Sequence, residues 1–171
     1  MARKNRQVES RMVADYLLKF YASFPRLMMV PLGGVDDRLA QQVGIEKALN
    51  LSRPFRPEID AIVILPRHLL LIETKVFRIV DGLAKLPLYA ALVPSTPELR
   101  KYLPREIMMQ IVVAWSNANL EAMAAAAGVQ VIVFTPAWLE AEVQRYHRYW
   151  TAEYQEARQK RLEMREYFGV D

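Results

Sequence analysis

The sequence predicts an α/β domain in which a mixed central β-sheet is flanked by helices and followed by a long C-terminal helix. Two observations carry this prediction. Runs of branched apolar residues at 58–65 and 69–76 are separated by a polar break that contains a proline, a pattern typical of an antiparallel hairpin. Further on, an apolar run at 107–115, an alanine-rich stretch at 119–127 and an apolar run at 129–134 follow one another. Strand, helix and strand in this order indicate a right-handed crossover between two parallel strands.

The chain before the hairpin begins with a predicted helix at about 7–22, where apolar residues recur at helical spacing. A first strand is predicted at 27–32, and it ends at a pair of glycines that permits a tight turn. Residues 35–51 are polar, with apolar residues spaced for a modest helix. We interpret about 33–57 as an inserted segment, whose final prolines favour an extended approach to the hairpin because each disfavours helix in the residue before it.

The segment after the hairpin is predicted to extend the second hairpin strand through 76–80, with an Asp-Gly pair at 81–82 marking its end. A helix is predicted at 83–93. The run at 107–115 is nearly all apolar, as expected for a central strand that is buried on both faces. The run at 129–134 is predicted to be another interior strand.

A long helix is predicted to start at Thr135 and Pro136, with the threonine as its cap and the proline at its first position, and to run to about Tyr167. Its second half interleaves aromatic with basic residues, which suits stacking on unpaired nucleotides and equally suits a protein contact. Because glutamates dilute the positive charge, we interpret this half as a contact for a protein partner or a second copy of the chain. The chain thus divides into a core at 1–135 and the long helix at 136–171.

Composition sets the broad class of the protein. The 171 residues are 53% hydrophobic, which suits one domain with a sizeable core, and the formal net charge of +4 is compatible with a polyanionic partner. The absence of cysteine excludes disulfides, iron–sulfur clusters and zinc–thiolate sites. No stretch is long and apolar enough for a membrane span, and the basic N-terminus leads into a charged helix rather than a secretory signal. We therefore expect a cytoplasmic protein with no membrane contact.

Charged residues at the ends of the hairpin point to its chemistry. Side chains alternate along a strand, so Glu58 and Asp60 share a face of the first strand, and Glu73 and Lys75 share a face of the second. Two carboxylates on neighbouring strands repel each other unless a cation lies between them. Oxygen ligands without cysteine favour Mg²⁺ or Mn²⁺. A lysine beside such an ion can hold a water or stabilise charge on a phosphate, which is the chemistry of phosphodiester hydrolysis.

Asp60, Glu73-Thr74-Lys75 and the hairpin that joins them resemble the active-site signature of the PD-(D/E)XK nuclease superfamily. The resemblance implies a restriction-endonuclease-like core and a metal-dependent DNA endonuclease, that is, a deoxyribonuclease that hydrolyses phosphodiester bonds. It further implies that Asp60 and Glu73 bind Mg²⁺ or Mn²⁺ and that Lys75 orients the attacking water. The alternative interpretation of the same residues is an edge hairpin with ordinary solvated charges and one salt bridge.

Four further residues are candidates for the site. Glu9 resembles the glutamate that many superfamily members place in the first helix as a metal ligand, although an acid in a first helical turn also simply favours the helix dipole. Lys85, ahead of a leucine and a tyrosine, resembles a lysine or glutamine that superfamily members often carry in the helix after the Glu-x-Lys strand. The resemblance makes Lys85 a candidate contact for a phosphate or a water, and an exposed helical lysine without a role is the alternative. Arg53 and Arg56 are expected close to Asp60, where they either bind a DNA phosphate or offset the acids.

Two functions remain open from the sequence. The first is the metal-dependent nuclease, with DNA as its partner. The second is a catalytically idle binding or structural module of the same fold, which works as part of a phage, transposon or repair assembly. Both interpretations place nucleic acid nearby, and only the first predicts turnover.

Overall fold

The computed structural model describes residues 2–141, with side chains from residue 6 onward, together with 156–157, 159–161, 163–164 and 167. The chain divides into two compact units, Met1–Thr135 and Pro136–Asp171. The first unit holds the sheet and the candidate site. In the second unit, the described residues from 137 onward are helical.

The described part of the first unit contains five α-helices and five β-strands. The helices are α1 (Ala2–Phe20), α2 (Asp37–Val43), α3 (Ile45–Ser52), α4 (Ile79–Leu92) and α5 (Ala118–Ala126). The strands are β1 (Arg26–Pro31), β2 (Glu58–Ile64), β3 (His68–Lys75), β4 (Glu106–Val113) and β5 (Val129–Val133). Short 3-10 turns lie at Arg53–Phe55, Val93–Ser95 and Pro97–Tyr102.

The strands form one sheet, in chain order from β1 to β5. β2 pairs antiparallel with both β1 and β3, whereas β4 pairs parallel with both β3 and β5. The predicted hairpin, the predicted parallel pair and the mixed α/β sheet flanked by helices are therefore confirmed.

Alternation of side chains along the strands separates two apolar layers. On β3, Leu69 and Leu71 belong to the main core cluster, which also contains buried residues of α4 and α5. Glu73 and Lys75 continue the same face of β3, because their positions differ from these leucines by even numbers. α1 covers the opposite face, where its Tyr16 reaches the sheet. The apolar part of this face of β3 thus ends directly at Glu73 and Lys75.

The first helix and the inserted segment differ from their predicted forms. α1 begins at Ala2 rather than near residue 7. The predicted modest helix at 35–51 is two helices, α2 and α3, which meet at Gly44 with φ of 83°. Glycine adopts this conformation without the steric cost that a Cβ would bring, which explains the break.

The predicted extension of the second hairpin strand through 76–80 is wrong. β3 ends at Lys75, Arg78 adopts a left-handed conformation with φ of 54°, and α4 begins at Ile79. Asp81 and Gly82, predicted to be the break, lie inside α4. The left-handed residue turns the chain from strand to helix earlier than the apolar pattern suggested.

The predicted interior position of the 129–134 run is also wrong, because β5 is the last strand of the sheet and only its Val129 is buried. The prediction that the 107–115 run is buried on both faces holds for only half of β4, from Gln110 onward. The reason lies in the register: β5 starts to pair at Met109, so the first half of β4 has β3 as its paired neighbour on one side alone.

Among the described residues, no helix combines the length and apolarity that a membrane crossing requires. The predicted partner contact of the C-terminal helix falls largely on residues outside the described part of the chain, which lacks 142–155 and several later positions.

A buried polar bridge links α1 to the sheet. The Tyr16 hydroxyl donates to Gln110 Oε1 at 2.8 Å, and Gln110 Nε2 donates to Gln130 Oε1 at 2.9 Å. Gln110 is only 2% exposed, so water cannot replace a lost partner easily.

Replacing Tyr16 with phenylalanine is therefore expected to lower the free energy of unfolding by about 1–2 kcal/mol, since Gln110 Oε1 stays buried and loses its donor. Urea unfolding measures the change. Tyr102→Phe is the matched control, because the Tyr102 hydroxyl has no hydrogen bond within the described residues. Equal losses in the two variants would argue against a specific contribution from the bridge.

Candidate active site

Asp60 lies where the pairing of β2 with both neighbouring strands is interrupted. The β2–β3 register ends one step before this residue, and its continuation places Asp60 opposite Glu73. The β1–β2 register skips the same point, because Met29 has φ of 51° there. The backbone N–H of Thr74 donates to Asp60 Oδ2 at 2.8 Å. The carboxylate is thus held at the point where the strands separate.

Glu73 and Lys75 meet at the carboxyl end of β3, as their spacing predicts. Lys75 Nζ lies 3.0 Å from Glu73 Oε1 and also donates to the carbonyl of Thr74 at 3.0 Å. α4 approaches the lysine closely, since a Cβ built on Gly82 would lie 2.5 Å from Lys75 Cγ. The missing side chain of Gly82 therefore leaves room for the aliphatic part of Lys75.

Glu9 brings a third carboxylate to the lysine. Its Oε2 accepts a hydrogen bond from Lys75 Nζ at 3.3 Å, and its Oε1 accepts one from the backbone N–H of Val76 at 3.3 Å. Because α1 begins at Ala2, Glu9 is the eighth residue of the helix, and its placement in the first turn was wrong. The helix dipole therefore does not explain this acid.

Burial and crowding raise the pKa of the site's carboxylates. Burial, followed by the negative charge of Asp60, raises the pKa of Glu73 to about 7. Burial also raises the pKa of Asp60 and of Glu9, although Lys75 opposes both rises. Glu73 Oε2 is buried and has no hydrogen-bond partner among the described residues. A cation beside that oxygen would remove an electrostatic cost.

The surroundings of Lys75 favour its charged form. Burial by itself lowers the pKa of its amine, but the carboxylates of Glu73, Asp60 and Glu9 outweigh burial and raise that pKa above the usual range. The amine is therefore protonated at neutral pH. It can donate hydrogen bonds and stabilise negative charge, and it has no lone pair with which to remove a proton.

The donor set suits a hard divalent cation held by two carboxylates. Asp60 and Glu73 offer oxygen ligands, one of them without a partner, and their negative charges favour Mg²⁺ or Mn²⁺ over softer ions. Both oxygens of Glu9 already accept protein hydrogen bonds. Within the described part of the chain, no group of three or more His, Cys, Asp or Glu is placed to hold a metal ion. The residues thus fit an ion whose other ligands are water or phosphate oxygens.

Lys85 and Tyr89 of α4 border the cluster. Lys85 is exposed, and its positive charge opposes the rise in the pKa of Asp60 and of Glu73. Tyr89 is buried, and burial followed by the charge of Glu73 raises the pKa of its hydroxyl to about 12. Lys85 is therefore close enough to affect the site electrostatically while it remains open to solvent.

Arg56 does not reach Asp60, contrary to expectation. Its guanidinium forms a two-pronged ion pair with Glu98, at 2.7 and 2.8 Å, and donates to the carbonyls of Pro31 and Leu32. The arginine is 8% exposed, so it fastens the inserted segment to the core rather than facing a ligand. Arg56 is therefore a buried cation whose charge is paired with Glu98.

Arg53 and Glu58 also pair away from the acidic cluster. Arg53 is exposed and lies 3.2 Å from Glu58 Oε1, while Arg6 of α1 lies 3.2 Å from Glu58 Oε2. Glu58, which alternation had placed with Asp60, is thus bonded to two arginines. Sequence reasoning missed Arg6, although its spacing of three residues from Glu9 places both on one side of a helix.

The raised pKa of Glu73 predicts a pH dependence of stability in metal-free protein. The folded state binds this proton more tightly than the unfolded state, so the stabilisation is complete below about pH 4.5 and is lost as pH rises through about 7. The loss should amount to about 3 kcal/mol in the free energy of unfolding. Chemical unfolding in EDTA across this range measures it. Glu73→Gln should flatten the slope, and parallel curves for the two proteins would contradict the prediction.

Comparisons of the chain with protein-family models, with curated proteins and with solved structures gave no significant match.

Proposed function

We propose that the protein is a metal-dependent DNA nuclease with a restriction-endonuclease-like core. The observation that carries the proposal is the convergence of Asp60, Glu73 and Lys75 where β2 and β3 separate, with the lysine amine 3.0 Å from Glu73 Oε1. The register and the alternation of side chains bring Asp60 of β2 to Glu73 and Lys75 of β3 across the hairpin. The arrangement agrees with the roles that the sequence resemblance implies.

Each side chain has a distinct task in this proposal. Asp60 and Glu73 hold a Mg²⁺ or Mn²⁺ ion, which when bound neutralises charge on the scissile phosphate and activates a water. Lys75, protonated and fixed by Glu73 and Glu9, donates hydrogen bonds that orient the water and stabilise the developing charge. Glu9 serves chiefly as a positioning residue for the lysine. Lys85 and Arg53 contact DNA phosphates, whereas Arg56 does not.

A second candidate function is the idle module of the same fold. It is favoured by the absence, among the described residues, of a three-carboxylate group placed around one ion, and by the contact of the Lys75 amine with both Glu73 and Glu9. In that case the charges of Asp60, Glu73, Glu9 and Lys75 form a closed ion-pair cluster that stabilises the end of the hairpin.

The test is cleavage of plasmid and branched DNA by the purified protein with Mg²⁺ or Mn²⁺, compared with the same reaction in EDTA. We expect cleavage that requires the ion. Thermal unfolding with and without Mg²⁺ gives a second measurement, because an ion that binds only the folded state raises the midpoint. No cleavage of any substrate and no shift in the midpoint would support the idle module instead.

A further inference from the structure

An aromatic ring on the inserted segment is almost fully exposed. Phe55 ends the 3-10 turn Arg53–Phe55, and the residue is 87% exposed to solvent. Leaving a ring of this size in water forgoes the free energy that its burial would supply. Exposed aromatic rings are also the side chains on which nucleotide bases stack.

The backbone under this ring is anchored on both sides. Pro54 precedes Phe55 and restricts the backbone, and Arg56 follows it with a guanidinium bonded to Glu98 and to the carbonyl of Pro31 at 2.9 Å. The ring therefore projects from a fixed point rather than from a loose loop. A contact made from a preorganised position loses less conformational entropy on binding.

The ring lies at the same end of the sheet as the candidate active site. Phe55 and Asp60 are five positions apart in the sequence, so their Cα atoms are at most about 18 Å apart. Two ion pairs connect the two regions: Arg53 pairs with Glu58, and Glu58 pairs with Arg6 of α1, the helix that also carries Glu9. That distance corresponds to a few nucleotides of a DNA strand.

The charges beside the ring match a polyanion. The side chains of Arg6 and Arg53 are 68% and 57% exposed, and they share one carboxylate, that of Glu58. Two cations against one anion leave this cluster of Arg6, Arg53 and Glu58 with one positive charge in excess. An aromatic ring next to basic groups is the combination that single-stranded nucleic acid recognises.

We propose that Phe55 stacks on an unpaired base of DNA while Arg53 and Arg6 bind the adjoining phosphates. This inference rests on the proposed nuclease function. The substrate is then DNA with unpaired nucleotides beside the cut, such as a fork, a flap or a single-stranded end. A blunt duplex keeps its interior bases stacked on one another, so it offers Phe55 only the outer faces of its terminal base pairs.

The experiment measures DNA binding by fluorescence anisotropy in EDTA, so that nothing is cleaved. Phe55→Ala should lower the affinity for single-stranded and forked DNA by about 5- to 100-fold, with little change for blunt duplex. Phe55→Tyr should retain the affinity, because the ring remains. Leu51→Ala is the matched control, since Leu51 is an apolar residue of the same segment that is 51% exposed. Arg53→Gln should reduce the salt dependence, whereas Arg67→Gln at the opposite end of the hairpin should not.

The outcomes separate this inference from the proposed function. If wild-type protein cleaves DNA but Phe55→Ala binds forked DNA as tightly as wild type, the stacking inference is wrong and the nuclease stands. If wild type never cleaves but Phe55→Ala loses single-strand affinity, stacking is supported and the nuclease fails. A lower mass for Phe55→Ala than for wild type in light scattering, with DNA binding unchanged, would assign the ring to a protein interface and overturn the inference.

Discussion

Replacing Asp60 with asparagine or Glu73 with glutamine should lower Mg²⁺-dependent DNA cleavage by at least about 100-fold. Each substitution keeps the shape of the side chain and removes a negative charge that the proposed ion needs. In metal-free protein above pH 7, Glu73→Gln should also be more stable than wild type, because a buried charge beside Asp60 is lost. Cleavage rates and urea unfolding in EDTA test the two effects.

The opposite signs of these effects distinguish a functional site from a damaged fold. A variant that had merely unfolded would lose activity and stability together. Glu106→Gln is the matched control, because Glu106 is an exposed acid at the far end of the sheet, and it should change neither quantity. Cleavage that neither Asp60→Asn nor Glu73→Gln reduces would reject the proposed catalytic roles.

Replacing Arg56 with methionine should lower the free energy of unfolding by about 3 kcal/mol. The substitution removes the two-pronged pair with Glu98 and leaves the carbonyls of Pro31 and Leu32, the second of them buried, without this donor. Arg56→Lys should cost about 2 kcal/mol, because an ammonium cannot reproduce the planar fork of a guanidinium. Urea unfolding of each variant measures the loss.

Arg53→Met provides the comparison for Arg56, because Arg53 is exposed and its change should stay within about 0.5 kcal/mol. Comparison of the two variants distinguishes Arg53 from Arg56, for which the sequence predicts the same role. A loss below about 1 kcal/mol for Arg56→Met would show that its ion pair does not anchor the inserted segment. If Arg56→Lys bound DNA more weakly at unchanged stability, that result would support a contact between Arg56 and a DNA phosphate.

Local patterns were sufficient to predict the central part of the fold. The hairpin of β2 and β3, the parallel pair of β4 and β5 and the first helix follow from the period of apolar residues and from turn residues, which act over a few positions. The same alternation places Glu73 and Lys75 on one face. These features depend on neighbouring residues in the chain, and the sequence displays them directly.

Positions that depend on distant contacts were predicted less well. Glu9 was placed in a first turn, whereas the longer helix brings it to Lys75 and Val76. Gly82 was read as a break, whereas it lies in α4, where its missing Cβ leaves space for Lys75. In both cases the role comes from a residue on another element, which no local pattern reveals.

Charge partners were the least predictable feature. An arginine close to an acid in sequence looks like its counter-charge, yet Arg56 pairs with Glu98, 42 positions away, and Glu58 pairs with Arg6, 52 positions away. Ion pairs form wherever folding brings opposite charges together, and long side chains reach across elements to make them.

By itself, the sequence determined the mixed α/β class, the hairpin and the shared face of Glu73 and Lys75, because periodicity and alternation are local properties of the backbone. Only the tertiary structure decided that Asp60 lies opposite Glu73 at a break in two ladders, that Glu9 holds the lysine, and that Arg56 is buried away from both. Register and helix packing set these relations, and both depend on residues far apart along the chain.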